Sequence, residues 1–176
     1  MNATKKRMNA VPLLVEEGIK GWCAVVLLLL AAGCSAPHQQ IAPRTDELRQ
    51  MERRTHDLIN EYRASHGLKR LLWSDVIRDR ALKHSERMAS NRVHFSHTGF
   101  EDRTKEIATR IQLRASSENI GVNWGYKDPV TIFVDGWIKS PGHLENIVGQ
   151  YDLTGVGIAK SQDGSYYATQ IFVLTK

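Results

Sequence analysis

Ser140-Pro141-Gly142-His143 sets a hydroxyl and an imidazole three residues apart across two helix breakers, and the chain then returns to helix-compatible sequence through Leu144 and Ile147. Histidine can serve near neutral pH as a proton acceptor, a hydrogen-bond donor or a metal ligand, so His143 is the first candidate for chemistry. Its other reading is a turn residue that bonds backbone carbonyls and fixes the Pro141-Gly142 bend. Serine hydrolysis requires a hydroxyl within hydrogen-bond reach of its base. A Pro-Gly turn between Ser140 and His143 supplies no such geometry, and the chain has no Gly-x-Ser-x-Gly pattern to raise a serine on a strained turn. The two cysteines, Cys23 and Cys34, both lie near the N-terminus, so the chain beyond them has no thiol nucleophile.

Four further candidates are read against structural alternatives. His94 and His97 fall in "VHFSHTGF", a stretch that breaks helical periodicity, where His94 reads as a loop residue. His84 falls beside the apolar face of a helical stretch, where packing is the default reading. Glu118 precedes Asn119 in "ENIG", and this pair reads equally as a polar brace for a strand.

Positioning any of these requires a folded domain, and 176 residues with 41% hydrophobic content allow one compact domain with a real core. Leu48, Met51, Leu58, Ile59 and Tyr62 recur at helical intervals up to Gly67, which predicts a first amphipathic helix of about five turns. Ser74 is a cap for a second helix with Ile77, Ala81, Ser85 and Met88 on one face and Asn91 at its end. Trp73 before that cap is placed to act as a hydrophobic staple. A shorter helix is expected around 105–113, and a strand at "ENIGVNWG". Helical spacing returns through Val130, Phe133, Val134 and Trp137, with Pro129 in the first turn. Two apolar runs joined around Asp163 and Gly164 read as a hairpin. This order predicts an α+β domain with an antiparallel sheet packed against helices. Trp73, Trp137, Tyr167 and Phe172 are spaced as core, whereas Trp124 ends a strand in a loop, where an exposed indole is placed to contact a ligand.

The N-terminus carries a different signal. Lys5, Lys6, Arg7 and Lys20 precede an 11-residue apolar run from Trp22 to Ala32, too short to span a bilayer and of the size of a secretory signal core. Ala31, Ala32 and Gly33 before Cys34 resemble a bacterial lipobox, in which the cysteine is lipidated and becomes the mature N-terminus. The expected organisation is a signal peptide over residues 1–33, a tether over 34–45 and one domain over 46–176. Removing residues 1–33, which hold four of the 24 Lys/Arg and two of the 19 Asp/Glu, leaves a formal charge of +3. That excess is mild, and with no basic run interleaved with aromatics and no zinc-finger spacing the reading excludes nucleic acid as partner. A domain without disulfides must be held by packing alone.

The motifs "LINEYRASHGLKRLLW", "HFSHT", "ENIG", "GWIKSPGHLENI", "TGVGIA" and "YYATQIF", in this order, resemble the CAP superfamily of cysteine-rich secretory proteins, antigen 5 and pathogenesis-related proteins. The resemblance covers residues 52–174 and is strongest to the compact bacterial form. It implies a three-layer α-β-α sandwich with a central antiparallel sheet. It also implies a cleft gathering His97, Glu118 and His143. The fourth cleft position, a glutamate three residues after the tryptophan in eukaryotic forms, is Ser140 here, and Glu145 lies on a different element.

Two neutral imidazoles and one carboxylate would hold a zinc or other divalent metal ion with an open fourth position, the arrangement of hydrolytic zinc, with His97 and His143 as the metal-binding histidines. The family is linked to extracellular binding of sterols and other lipids, to protein interaction and in scattered cases to proteolysis. The expectation is an exported CAP-domain protein of the cell envelope, anchored to a membrane through lipid on Cys34, in the outer membrane if the host has two. Its cleft binds a small ligand, a lipid or a divalent metal, or serves an envelope protein partner. A metal-dependent hydrolase acting on peptide or cell-wall material is the alternative.

Overall fold

The computed structural model describes residues 42–176. The expected signal peptide, Cys34 and the tether up to residue 41 lie outside these residues. Helix α1 (Ala42–Ser65) begins inside the stretch read as tether and runs longer than the apolar spacing alone implies. A two-residue strand β1 (Leu72–Trp73) leads into α2 (Asp75–Ala89), then α3 (Phe100–Ala108), β2 (Leu113–Asn123), α4 (Pro129–Lys139), α5 (Pro141–Val148), and the hairpin β3 (Leu153–Lys160) and β4 (Tyr166–Thr175).

Caps explain several boundaries. Ser74 accepts from the Ile77 amide at the start of α2, and Asn91, with φ 55°, turns the chain after it, as expected for these residue types. Asp128 caps α4 by accepting from Thr131 N, and Arg54 grips the same carboxylate through bonds of 2.8 and 2.7 Å. Helix α3 stops at Ala108, short of residue 113, because the chain enters β2 at Leu113 and pairs with Thr175. Here sheet pairing overrides a weak local helical preference.

The sheet order is β1-β3-β4-β2. The three long strands are antiparallel, as expected, but β1 runs parallel to β3 through Leu72↔Leu153 and Trp73↔Thr154, so the sheet is mixed. Trp73 therefore extends the sheet edge as well as packing, half-buried, against the larger core.

Helices cover both faces. Ile59, Phe133, Trp137, Ile147, Ile158 and Phe172 form the core under α1, α4 and α5; Ile77, Ala81, Ile107, Ile171 and Val173 form a smaller core under α2 and α3. Trp137 and Phe172 are buried, Trp73 is half-buried at the margin of the larger core, and Tyr167 is half-buried. Two glycines set the second interface. A Cβ on Gly155 would lie 2.2 Å from Arg78 N, and one on Gly157 would lie 2.0 Å from Leu82 N. The α2 backbone rests directly on β3, which is the physical content of the "TGVG" motif.

Both edges of the sheet are closed by side chains. Beyond the short β1, buried Glu52 of α1 accepts from Ile158 N at 3.0 Å and pairs with Arg78 of α2 through bonds of 2.8 and 3.1 Å. At the opposite edge, the β2 carbonyls of Glu118 and Ile120 accept from Asn146 Nδ2 and Trp137 Nε1. An edge whose backbone groups are already bonded resists pairing with another chain.

Candidate functional site

The site straddles β2, the edge strand. Glu118 points to the α3 side, where its side chain is 1% exposed, and Asn119 points to the α5 side, as strand alternation demands. His97 comes from the loop between α2 and α3. Gly99, with φ 80°, makes the turn from that loop into α3, and Phe100 N bonds back to His97 O at 3.0 Å. His84, buried on α2 as its position in the sequence suggests, donates from Nε2 to Ser96 O at 2.9 Å and so fixes the loop one residue before His97. Burial, and then the nearby Arg103 charge, lower the proton affinity of His84. His94 is exposed, as expected.

Glu118 is fully engaged. Its Oε1 accepts from His97 Nδ1 at 2.9 Å and from Arg103 Nη2 at 2.8 Å, and its Oε2 accepts from Arg103 Nε at 2.9 Å. Arg103, on α3, also donates to Thr98 O at 3.1 Å and to His97 O at 3.4 Å. A single guanidinium thus holds the carboxylate and the loop that carries His97. Arg103 escaped the sequence reading because it sits in a charged helical stretch; the one available signal was its spacing of one turn from Gly99.

On the other side of β2, His143 occupies the first turn of α5. Asn119 Nδ2 donates to His143 O at 3.1 Å, and Asn146 Nδ2 donates to Asn119 Oδ1 at 2.8 Å. The far end of α5 is anchored by buried Arg63, which donates to Ile147 O at 2.6 Å and Gly149 O at 2.9 Å, a cation placed on carbonyls at a helix C-terminus. The His143 ring bonds no backbone carbonyl: its own carbonyl ties α5 to Asn119 of β2, and its ring is half-buried with Nδ1 buried and unpartnered among the described residues. Burial first, and His97 second, lower the proton affinity of the His143 ring. His97 and Glu118 are bonded to each other on one side of β2, and His143 is tied through its carbonyl to Asn119, the next residue of that strand.

Ser140 joins α4 to α5, and its side chain makes no capping bond and none to His143. Glu145 is exposed. Arg103 and His97 donate to the two Glu118 oxygens, and no three His, Cys, Asp or Glu side chains converge among the described residues. What remains for a metal is a pair of imidazoles.

Along the same face of β2 as Glu118, Val122 is 44% exposed and lies opposite Tyr167 of β4, whose ring centroid is 6.4 Å from that of Phe95. Trp124, beyond the end of β2, is 68% exposed, as the sequence suggested.

The fold is an α+β sandwich with a buried carboxylate clamped between histidine and arginine on its edge strand, and a second histidine across that edge. Residues 56–173 match the profile of the cysteine-rich secretory protein family, CAP, and the chain belongs to that family. It is 34% identical over 128 residues, 69% of its own length, to the uncharacterized membrane protein YlbC of Bacillus subtilis. The chain spans about a third (34%) of that relative's length. Its fold is similar to that of an outer surface protein of Borrelia burgdorferi, with a TM-score of 0.63 and 20% identity, covering 73% of this chain and 95% of that one. It is also similar to an extracellular SCP-domain protein of Bacillus anthracis, with a TM-score of 0.60 and 29% identity, covering 74% of this chain and 43% of that one.

Proposed function

We propose that this protein is a binding module of the cell envelope, exported and held at a membrane by lipid on Cys34, whose cleft between His97 and His143 takes a small amphipathic ligand. The observation that carries this reading is the clamp on Glu118: it holds His97 through Nδ1, and among the described residues no nucleophile is bonded to the ring of His97 or of His143. Val122, Tyr167 and Trp124 offer apolar surface for the rest of the ligand. The relatives described as membrane, outer-surface and extracellular proteins support the location.

A divalent metal held by the two imidazoles, with hydrolysis of peptide or wall material, is the competing reading. It has two nitrogen donors, whereas hydrolytic zinc takes three protein ligands. Native mass spectrometry of the full chain, extracted in detergent from its own membranes, separates the two. The binding reading expects a small-molecule adduct that is lost in the His97→Ala/His143→Ala double variant; an adduct retained in that variant, or none in the parent, overturns it. Stoichiometric zinc that both single variants lose would move the assignment to the metal reading.

A further inference from the structure

A neutral imidazole carries one proton, and the partner of one nitrogen decides what the other offers. His97 Nδ1 faces Glu118 Oε1, which accepts, so the proton of a neutral His97 lies on Nδ1 and Nε2 is left as an acceptor. Glu118 can dictate this because it is acceptor-only: Arg103 donates to both of its oxygens in a two-pronged bond, and the pair is 11% and 1% exposed. Arg103 also bonds the carbonyls of His97 and Thr98, so it sets the position of the loop as well as the orientation of the acceptor.

His143 presents the opposite end. Its Nδ1 is buried with no partner among the described residues. A buried N–H without an acceptor is the rarer and costlier arrangement, so the neutral ring keeps its proton on Nε2, the nitrogen left to the cleft. Asn119, adjacent to Glu118 on β2, holds the His143 backbone through its carbonyl, so both rings are referred to the same two residues of one strand.

Building on the cleft-binding reading above, we propose that Arg103 is a positioning residue that locks His97 in the Nδ1–H tautomer, so that Nε2 of His97 is offered as an acceptor and selects a ligand with a hydroxyl group. A hydroxyl donates the hydrogen bond that this nitrogen accepts. An ether, a ketone or a carboxylate has no proton to give it.

The test is nitrogen NMR of the full chain in detergent micelles, labelled at histidine nitrogens, at a pH where both rings are neutral. The wild type is expected to show a protonated Nδ1 at His97 and a protonated Nε2 at His143. Arg103→Met, with folding checked from its amide spectrum, is expected to give a tautomer mixture at His97 and leave His143 unchanged, and Arg103→Lys to restore the wild-type signature in part. A proton on Nε2 of wild-type His97, or an unchanged tautomer in a folded Arg103→Met variant, overturns the positioning role; the wild-type spectrum decides the matter if that variant does not fold. Phenol and anisole then test ligand class as probes that differ by one hydroxyl hydrogen. Phenol is expected to shift the Nε2 signal of His97 saturably at roughly tenfold lower concentration than anisole, the size of one net hydrogen bond. Equal response to the two, or no response to phenol, overturns the hydroxyl assignment. Either result leaves intact the envelope-binding reading, which stands or falls on the native adduct.

Discussion

Arg103 and Glu118, 15 residues apart in the chain, form a two-pronged ion pair at 2.8 and 2.9 Å, and His97 shares one of its oxygens. Breaking one side of a buried pair leaves an uncompensated charge, which costs about 3–5 kcal/mol. Arg103→Ala should therefore unfold at markedly lower urea concentration than the parent. A double replacement of Arg103 and Glu118 by apolar residues should recover much of the loss, because no charge then remains buried. If Arg103→Ala loses less than about 1 kcal/mol, the pair is not buried as described.

Gly157 lies under α2 with no room for a methyl group, since its Cβ would sit 2.0 Å from Leu82 N and 2.2 Å from Leu82 Cα. Both are backbone atoms of a helix and cannot swing aside. Gly157→Ala should destabilise the domain by about 1–3 kcal/mol or more through overpacking. The same change at exposed Gly142, which has nothing within 4 Å, should lack that overpacking penalty, and thermal melts of the two variants make the comparison.

Acid should weaken the fold in two separate windows. His84 and His143 are both held neutral, first by burial, and their folded pKa values lie below the ordinary 6.5. As pH drops below about 6.5 the unfolded chain gains protons that the folded chain resists, so the stabilisation is complete above that pH and is lost below it. Asp128, held well below the usual carboxylate range by Arg54 and then Thr131, acts in the same sense only below about pH 4. Urea unfolding at pH 8, 7, 6 and 5 should show falling stability across the upper window, with a shallower fall in His84→Gln. A flat parent profile from pH 8 to 5 would contradict the burial of these rings.

Asn119 is fully buried and joins Asn146 to the His143 carbonyl. Asn119→Ala removes one donor and one acceptor from that network and should cost about 1–3 kcal/mol. The His143 ring signals should broaden or shift while those of His97 stay in place, because Glu118 and Arg103 lie on the other side of β2. Equal disturbance of both rings would show that the two halves of the cleft are not braced independently.

Cys34→Ser should release the protein from the membrane fraction without changing the melting temperature of the domain, since the expected anchor adds hydrocarbon to the N-terminus and nothing to the core. Retention of Cys34→Ser in membranes would refute lipidation as the anchor.

What the sequence determined by itself was short-range. Apolar spacing at 3.6 residues, the Ser74 cap, Asn91 as a terminator, Pro129 in a first turn and the Asp163-Gly164 hairpin are settled within a few residues of the chain, and each appears in the fold. The motif order singled out His97, Glu118 and His143, and in the fold His97 and Glu118 are bonded to each other. Tertiary structure alone decided the long-range matters: the parallel pairing of β1, the Glu52 link from α1 to Arg78 and Ile158, and above all the engagement of Glu118 by Arg103. An ion pair depends on which strand face and which helix turn come together. That is fixed by sheet register and helix packing, so one arginine among many acquires its role only when β2 and α3 are set side by side.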